Sequence, residues 1–373
     1  MQQMELTPQC AKLQDVIDSM AFEGKVLEYR RYGSGHINDT FLVTCQFDDY
    51  LKQYILQRIN QHVFKQPKIV MRNILRVTEF LSQQTTRRRG NAQRECLNLV
   101  LTKEGKPYYI DELGNCWRGY LFIDGASCLD RITDTQEMYE CGKMFGRFQE
   151  LLGDLPADEL EETIPDFHNP PKRFEAFLQA VAEDKMGRAA SVRKEIDFVC
   201  AHKDDMAQIS KLLESGQMPL RVVHNDTKCN NILIDDRTHK CICVIDLDTV
   251  MPGLAVYDYG DAIRYAASEA TEDEPDLSKV RISLPLFDAY TRGYMEACAN
   301  SLTKCEIDSL VLGAQTIAYE IGMRFLMDHI NGDIYFRIHR ENHNLDRARA
   351  QLTIARDIGQ KWDQLQRIVD QYR

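Results

Sequence analysis

The chain has 373 residues, too many for one ordinary core, so two lobes are expected. With 44% apolar and 28% charged residues and no polar low-complexity tract, it is neither disordered nor fibrous. A net charge of −11 argues against a nucleic-acid binder, which needs a basic face for the phosphates.

Residues 1–14 lack a cationic start followed by an apolar stretch, and no later run is long enough to cross a bilayer, so a cytoplasmic protein is expected. Twelve cysteines are scattered without a C-x-x-C pair, which reads as reduced thiols rather than disulfides or zinc ligands.

Strand patterns cover residues 25–31 and 40–47, the second with Phe41, Val43, Cys45 and Phe47 on one face. Gly33-Ser34-Gly35 stands between them. A third strand pattern at 53–59 precedes a helical repeat at 68–82, where Ile69, Ile74, Val77 and Leu81 recur at helical spacing. Two more strand patterns, at 97–102 and 117–123, complete a small, mostly antiparallel unit that ends near a hinge at Asp124-Gly125. Beyond it, long amphipathic helices are predicted at 135–152, 171–183, 189–213, 284–299 and 307–329. Residues 240–247 (KCICVIDL) read as a short buried strand. Residues 271–276 (TEDEPD) read as solvated loop. The fold class is therefore α+β, with a small antiparallel-sheet N-lobe over residues 1–123 and a larger, mainly helical C-lobe over 124–373.

The chemistry is concentrated in His224-Asn225-Asp226-Thr227-Lys228-Cys229-Asn230-Asn231 and in Asp246, which closes the buried strand after it. Phosphoryl transfer needs an acid to orient the attacking hydroxyl and accept its proton, and oxygen ligands for the magnesium that neutralises nucleotide phosphates. An Asp, an Asn five residues later and an Asp after the next strand supply those groups in the order found in protein kinases. Asp226 is thus the candidate base, Asn231 and Asp246 the candidate magnesium ligands, and Lys228 a cation beside the transferred phosphoryl group. Singly, each such Asp or Asn more often just closes a turn. It is the combination that points to a kinase.

Gly33, Ser34 and Gly35 would let backbone amides approach ATP phosphates, although hairpins recruit glycine freely. The third strand carries no central lysine, so Arg58 is the candidate phosphate cation, with Glu79 its helix partner. Asp258 and Asp261 are expected to cap a helix and brace the catalytic loop. Glu320 and Arg324 stand four apart on a helix, the spacing of a surface ion pair. Tyr335 sits between two apolar residues and reads as packing on residue type alone.

The HNDTKxNN loop and the DLDTVMPG segment (246–253) resemble the aminoglycoside phosphotransferase and choline kinase superfamily. YGSGHINDTFLV (32–43), LQRIN (56–60), DLDTVMPGLAVYDYGDAIR (246–264) and GMRFLMDHINGDIYF (322–336) are more closely similar to N-acetylhexosamine 1-kinases over nearly the whole chain. That resemblance implies ATP- and magnesium-dependent phosphorylation of the anomeric hydroxyl of N-acetylglucosamine or N-acetylgalactosamine. It matches Asp226 to the base, Asn231 and Asp246 to the metal ligands, and Arg324 and Tyr335 to positions near the sugar. His36 and Asp39 are further candidates for lining the substrate cleft. The expected partners are ATP and a small sugar, with no nucleic acid or membrane, and a monomer or weak homodimer. A kinase of another small alcohol, such as an amino alcohol or aminoglycoside, would share the loop. A protein kinase is disfavoured by the lack of an Ala-Pro-Glu motif after Asp246. A nucleotide-binding module without turnover would be marked by loss of Asp226, Asn231 or Asp246, and all three are present.

Overall fold

The computed structural model describes residues 13–33, 37–128, 131–132 and 134–373. The chain divides into two compact units, Met1–Gly125 and Ala126–Arg373.

The first unit opens with α1 (Leu13–Ser19), followed by β1 (Lys25–Arg31), β2 (Asp39–Phe47), β3 (Tyr50–Arg58) and α2 (Pro67–Arg87). The short α3 (Ala92–Glu95), β4 (Leu99–Val100) and β5 (Tyr109–Ile110) lead to β6 (Cys116–Leu121). All strand pairs are antiparallel, in the order β1-β2-β3-β6-β4, with β5 also on β6. Alternation in β2 turns Val43 and Cys45 into a core shared with Tyr54, Leu56, Trp117 and Leu13, Val16 and Ile17 of α1, and Phe41 packs against it. The strand predicted at 97–102 shrinks to two residues. The Asn98 amide is spent on the carbonyls of Ala92, Gln93 and Cys96, which curls the chain before pairing begins.

The second unit contains β7 (Ala126–Ser127), α4 (Thr135–Leu151), α5 (Pro170–Glu183), α6 (Arg193–Ala201), α7 (Lys203–Met206) and α8 (Gln208–Glu214). Next come β8 (Arg221–Val223), β9 (Ile232–Asp235), β10 (Cys241–Val244), β11 (Met251–Gly253) and α9 (Ala255–Ala266). It ends with α10 (Leu284–Cys298), α11 (Lys304–Asp308), α12 (Leu310–Asn331), α13 (His343–Gln360) and α14 (Trp362–Gln371). The single helix predicted over 189–213 is in fact broken. At the break, His202 bonds the Phe198 carbonyl through Nδ1 and stacks on Tyr319, a tertiary contact that overrides the helical period. The helix expected over 307–329 splits at Ser309 into α11 and α12, and α13 and α14 were not anticipated.

The α+β class expected from the sequence, an antiparallel sheet followed by a mainly helical part, is the class observed. Among the described residues the cysteines are free thiols, and no helix is long and apolar enough to cross a membrane.

One helix contact fixes the site. α9 lies so close to α12 that a Cβ on Gly313 would stand 2.3 Å from the Val256 carbonyl oxygen, and one on Gly260 2.5 Å from that of Gly313. Only glycines permit this approach, which seats α9 beneath the loop described next.

Candidate active site

β8 ends at Val223, pinned to Met251 of β11, and the chain then enters the loop 224–231. Asn225 has φ +64°, in the left-handed region that asparagine enters more readily than other side chains. It is held there from several sides. Its N–H donates to Asp258 Oδ1 at 2.7 Å, its side-chain amide to the Thr249 carbonyl at 3.0 Å, and His168 Nε2 lies 3.2 Å from its carbonyl oxygen. The His224 N–H donates to the other oxygen of Asp258 at 2.7 Å, and the Thr227 N–H to Asp261 Oδ2 at 2.8 Å.

Asp258 and Asp261 therefore brace the loop, as the sequence suggested, but from inside α9 rather than as its cap, since the cap position is Leu254. Burial pushes the Asp258 carboxyl up to about 6, against the pull of His224 and the two amides, so at neutral pH it is an ionised acceptor. Asp261 is paired with buried Arg264, which also bonds Glu272.

The Asp226 side chain is 23% exposed. Lys228 Nζ lies 3.0 Å from its Oδ1, and the Asn231 amide donates to its Oδ2 at 3.1 Å and to its backbone carbonyl at 2.8 Å. Burial would raise this carboxyl, but the Lys228 ammonium and its hydrogen bond outweigh it and hold the group below the ordinary carboxylate range. Lys228 is displaced upward: burial opposes its charge, and Asp226, Glu272 and Asp261 more than compensate. The pair is thus a carboxylate and an ammonium at neutral pH. A carboxylate so placed can accept a bond from a hydroxyl entering on its exposed side.

Asn231 immediately precedes β9, and its carbonyl receives the Ile245 N–H at 2.9 Å across the β9-β10 ladder. Asp246 is the next residue. It is exposed and turns at φ +58° into the 3-10 segment Leu247–Thr249, where the sequence had predicted continued strand. Because the Asn231 NH2 group is committed to Asp226, its oxygen is the atom left to coordinate. An amide oxygen and a carboxylate are hard donors of the kind suited to Mg²⁺, which takes one or two protein ligands and completes its shell with phosphates and water. Among the described residues no cluster of three His, Cys, Asp or Glu forms an all-protein metal cage, and a site of this kind needs none.

A second group of side chains joins this loop. On α12, Glu320 is fully buried and places both carboxylate oxygens 3.3 Å from His168 Nδ1. The surface Glu320–Arg324 pair that the spacing suggested does not form. Arg324, 6% exposed, instead lies against Phe167 (5.1 Å), Phe336 (5.7 Å) and Tyr335 (5.9 Å). Arg173 of α5 reaches the Phe167 carbonyl from the other side, and burial together with the charge of Arg324 lowers its proton affinity. Among the described residues neither guanidinium has a carboxylate partner in an ion pair. Tyr335, 55% exposed, is placed by Asp328, which accepts from the backbone N–H groups of Ile334, Tyr335 and Phe336. Sequence reasoning missed Phe167, His168, Arg173 and Asp328. The partners of His168 are remote in the chain, and those of Arg173 and Asp328, six to eight residues away, follow no spacing that a sequence pattern singles out.

In the first unit, Gly33 adopts φ +77°, whereas Ser34, Gly35 and His36 lie outside the described residues. Asp39 and Arg58 are register partners across β2 and β3 and form an ion pair, with Arg31 3.1 Å from the same carboxylate. Arg58 thus pairs with Asp39, not with Glu79, which is exposed on α2. Asp39 is accordingly a partner for two arginines.

An antiparallel sheet unit followed by a helical unit, with an Asp-x-x-x-x-Asn loop and an Asp after the β9-β10 pair that follows it, defines a protein-kinase-like phosphotransferase fold. Residues 28–294 match the phosphotransferase enzyme family, and the chain belongs to that family. Solved structures carry the same fold at low identity. An aminoglycoside phosphotransferase from Alicyclobacillus acidocaldarius aligns with a TM-score of 0.62 at 14% identity, over 99% of this chain and 98% of its own. A spectinomycin phosphotransferase in complex with ADP and spectinomycin gives 0.58 at 12%, over 97% and 100%. The choline kinase of Cryptosporidium parvum gives 0.54 at 15%, over 90% of each chain.

Proposed function

We propose that the protein is an ATP-dependent kinase that phosphorylates the anomeric hydroxyl of an N-acetylhexosamine, releasing the sugar 1-phosphate and ADP. Asp226 orients the attacking hydroxyl and takes its proton. Lys228 keeps that carboxylate ionised and lends positive charge to the transferred group. Asn231 and Asp246 would hold magnesium, which when bound neutralises the nucleotide phosphates. Gly33, Ser34, Gly35 and Arg58 are assigned to ATP, and Arg324 and Tyr335 to the acceptor.

The observation that carries the sugar reading is the environment of Arg324. A nearly buried guanidinium, flanked by three aromatic rings and without an ion-pair partner among the described residues, can donate to the oxygen acceptors of a ligand, and an acetamido sugar offers several. Arg173 adds a second cation beside it, and the buried acids one turn to either side on α12, Glu320 and Asp328, are taken by His168 and by the backbone amides of residues 334–336. An ammonium brought within about 5 Å of one guanidinium would meet about 3 kcal/mol of repulsion at an effective dielectric near 20. That opposes choline, amino alcohols and aminoglycosides by about two orders of magnitude for each such approach. The competing amine reading rests on the fold likeness to an aminoglycoside phosphotransferase and a choline kinase, and that likeness concerns architecture.

Replacing Arg324 by Gln is expected to raise the KM for N-acetylglucosamine by about 100-fold, a loss of about 2.7 kcal/mol, with the KM for ATP changed less than about twofold. Steady-state kinetics with each substrate varied in turn checks this, and equal effects on both would reduce Arg324 to a packing residue.

A further inference from the structure

The His168 imidazole lies between two acceptors. The Asn225 carbonyl can only accept, so Nε2 must carry a hydrogen and donate to it. Nδ1 faces both oxygens of Glu320 at 3.3 Å, so a proton must also sit between those two groups, on the imidazole or on the carboxyl. The arrangement is dry: the side chains of His168 and Glu320 are 5% and 0% exposed. The charged and titratable groups around it are Arg324 on α12, Arg173 on α5, the Tyr257 ring of α9 at 5.9 Å, and Asp226 one residue beyond the carbonyl that His168 holds.

We infer that His168 is a positioning residue, which fixes the left-handed Asn225 through its carbonyl and thereby sets the direction of the Asp226 carboxylate, with Glu320 as its anchor. Asn225 otherwise has its N–H on Asp258 and its side chain on Thr249, so His168 supplies the hydrogen bond to its remaining backbone group. Glu320 lies one helical turn before Arg324, and Phe167, the residue before His168, lies against the Arg324 guanidinium. The bond chain from Asn225 through His168 to Glu320 therefore ties the base to the wall assigned to the acceptor. The inference rests on Asp226 as base and not on which acceptor is phosphorylated.

Two near-isosteric variants separate this role from simple packing. Asn at position 168 places its amide where Nδ1 was, keeping a donor for Glu320 and abandoning the Asn225 carbonyl. Gln places its amide where Nε2 was, keeping the Asn225 contact and abandoning Glu320. Stability and turnover should therefore move in opposite order. His168→Gln, with a buried acid left unpaired, should melt lower yet keep kcat within about threefold. His168→Asn should melt higher than the Gln variant yet lose about 30-fold in kcat, since displacing a reacting group by about 1 Å can cost about 100-fold. If His168→Gln fails to fold, the double variant with Glu320→Gln restores a neutral partner and carries the same expectation. Hydrogen exchange of the peptide spanning 220–232 gives a readout that needs no acceptor: it should quicken in His168→Asn and stay near wild type in His168→Gln. Unchanged exchange in the Asn variant, or equal kcat losses in both, overturns the inference. Quickened exchange with full turnover would instead count against Asp226 as the base.

Discussion

Asp226→Asn is expected to lower kcat by about 10³–10⁴-fold while the fold and ATP binding persist. The amide is the same shape as the carboxylate and still accepts from Asn231 through one oxygen, and the Asn231 bond to the Asp226 backbone is untouched. Asn225 and Thr227, on either side, remain held by Asp258 and Asp261. What disappears is the negative charge that Lys228 stabilises and the capacity to take a proton. Turnover by ADP release, with ATP affinity and melting measured on the same preparation, separates these effects. A variant with turnover close to wild type would remove Asp226 from the chemistry.

Removing the carboxylate of Asp246 is expected to be comparably severe, with magnesium-supported turnover falling below about 10⁻³ of wild type. Only two protein oxygens are assigned to the metal, so no third ligand can compensate. Asp246→Ala also meets the backbone at φ +58°, where alanine is strained and asparagine is not, so Asp246→Asn serves as the control for folding. Both variants should lose activity, and the Asn variant should melt near wild type. Activity persisting in excess chelator, in wild type or variant, would contradict the metal assignment.

The catalytic loop was legible because phosphoryl transfer fixes residue types at short spacings, and the 224–231 segment and Asp246 flank the two strands of one hairpin, β9 and β10. The first-unit strands were legible because alternation such as Phe41, Val43, Cys45 reports a sheet face directly. Other features were written in tertiary contacts. His168 meets Asn225 across 57 residues and Glu320 across 152, and no local pattern announces either. The spacing of Glu320 and Arg324 misled for a related reason: α12 is buried on nearly every side, so a surface rule was applied to an interior helix. Residues 189–213 keep a helical period through a break at His202, where the side chain bonds the Phe198 carbonyl and stacks on the remote Tyr319. Arg58 turned to its cross-strand neighbour Asp39, a pairing that needs the β2-β3 register to be seen.

The most direct test is a coupled ADP-release assay with ATP and magnesium across N-acetylglucosamine, N-acetylgalactosamine, galactose, choline, ethanolamine and kanamycin, with phosphorus NMR of every product formed. The account predicts turnover with the acetylated hexosamines, a product phosphorylated at the anomeric position, and rates for the three amines lower by about 100-fold or more. Turnover confined to choline, ethanolamine or kanamycin would contradict the sugar assignment and the reading of the Arg324 environment on which it stands.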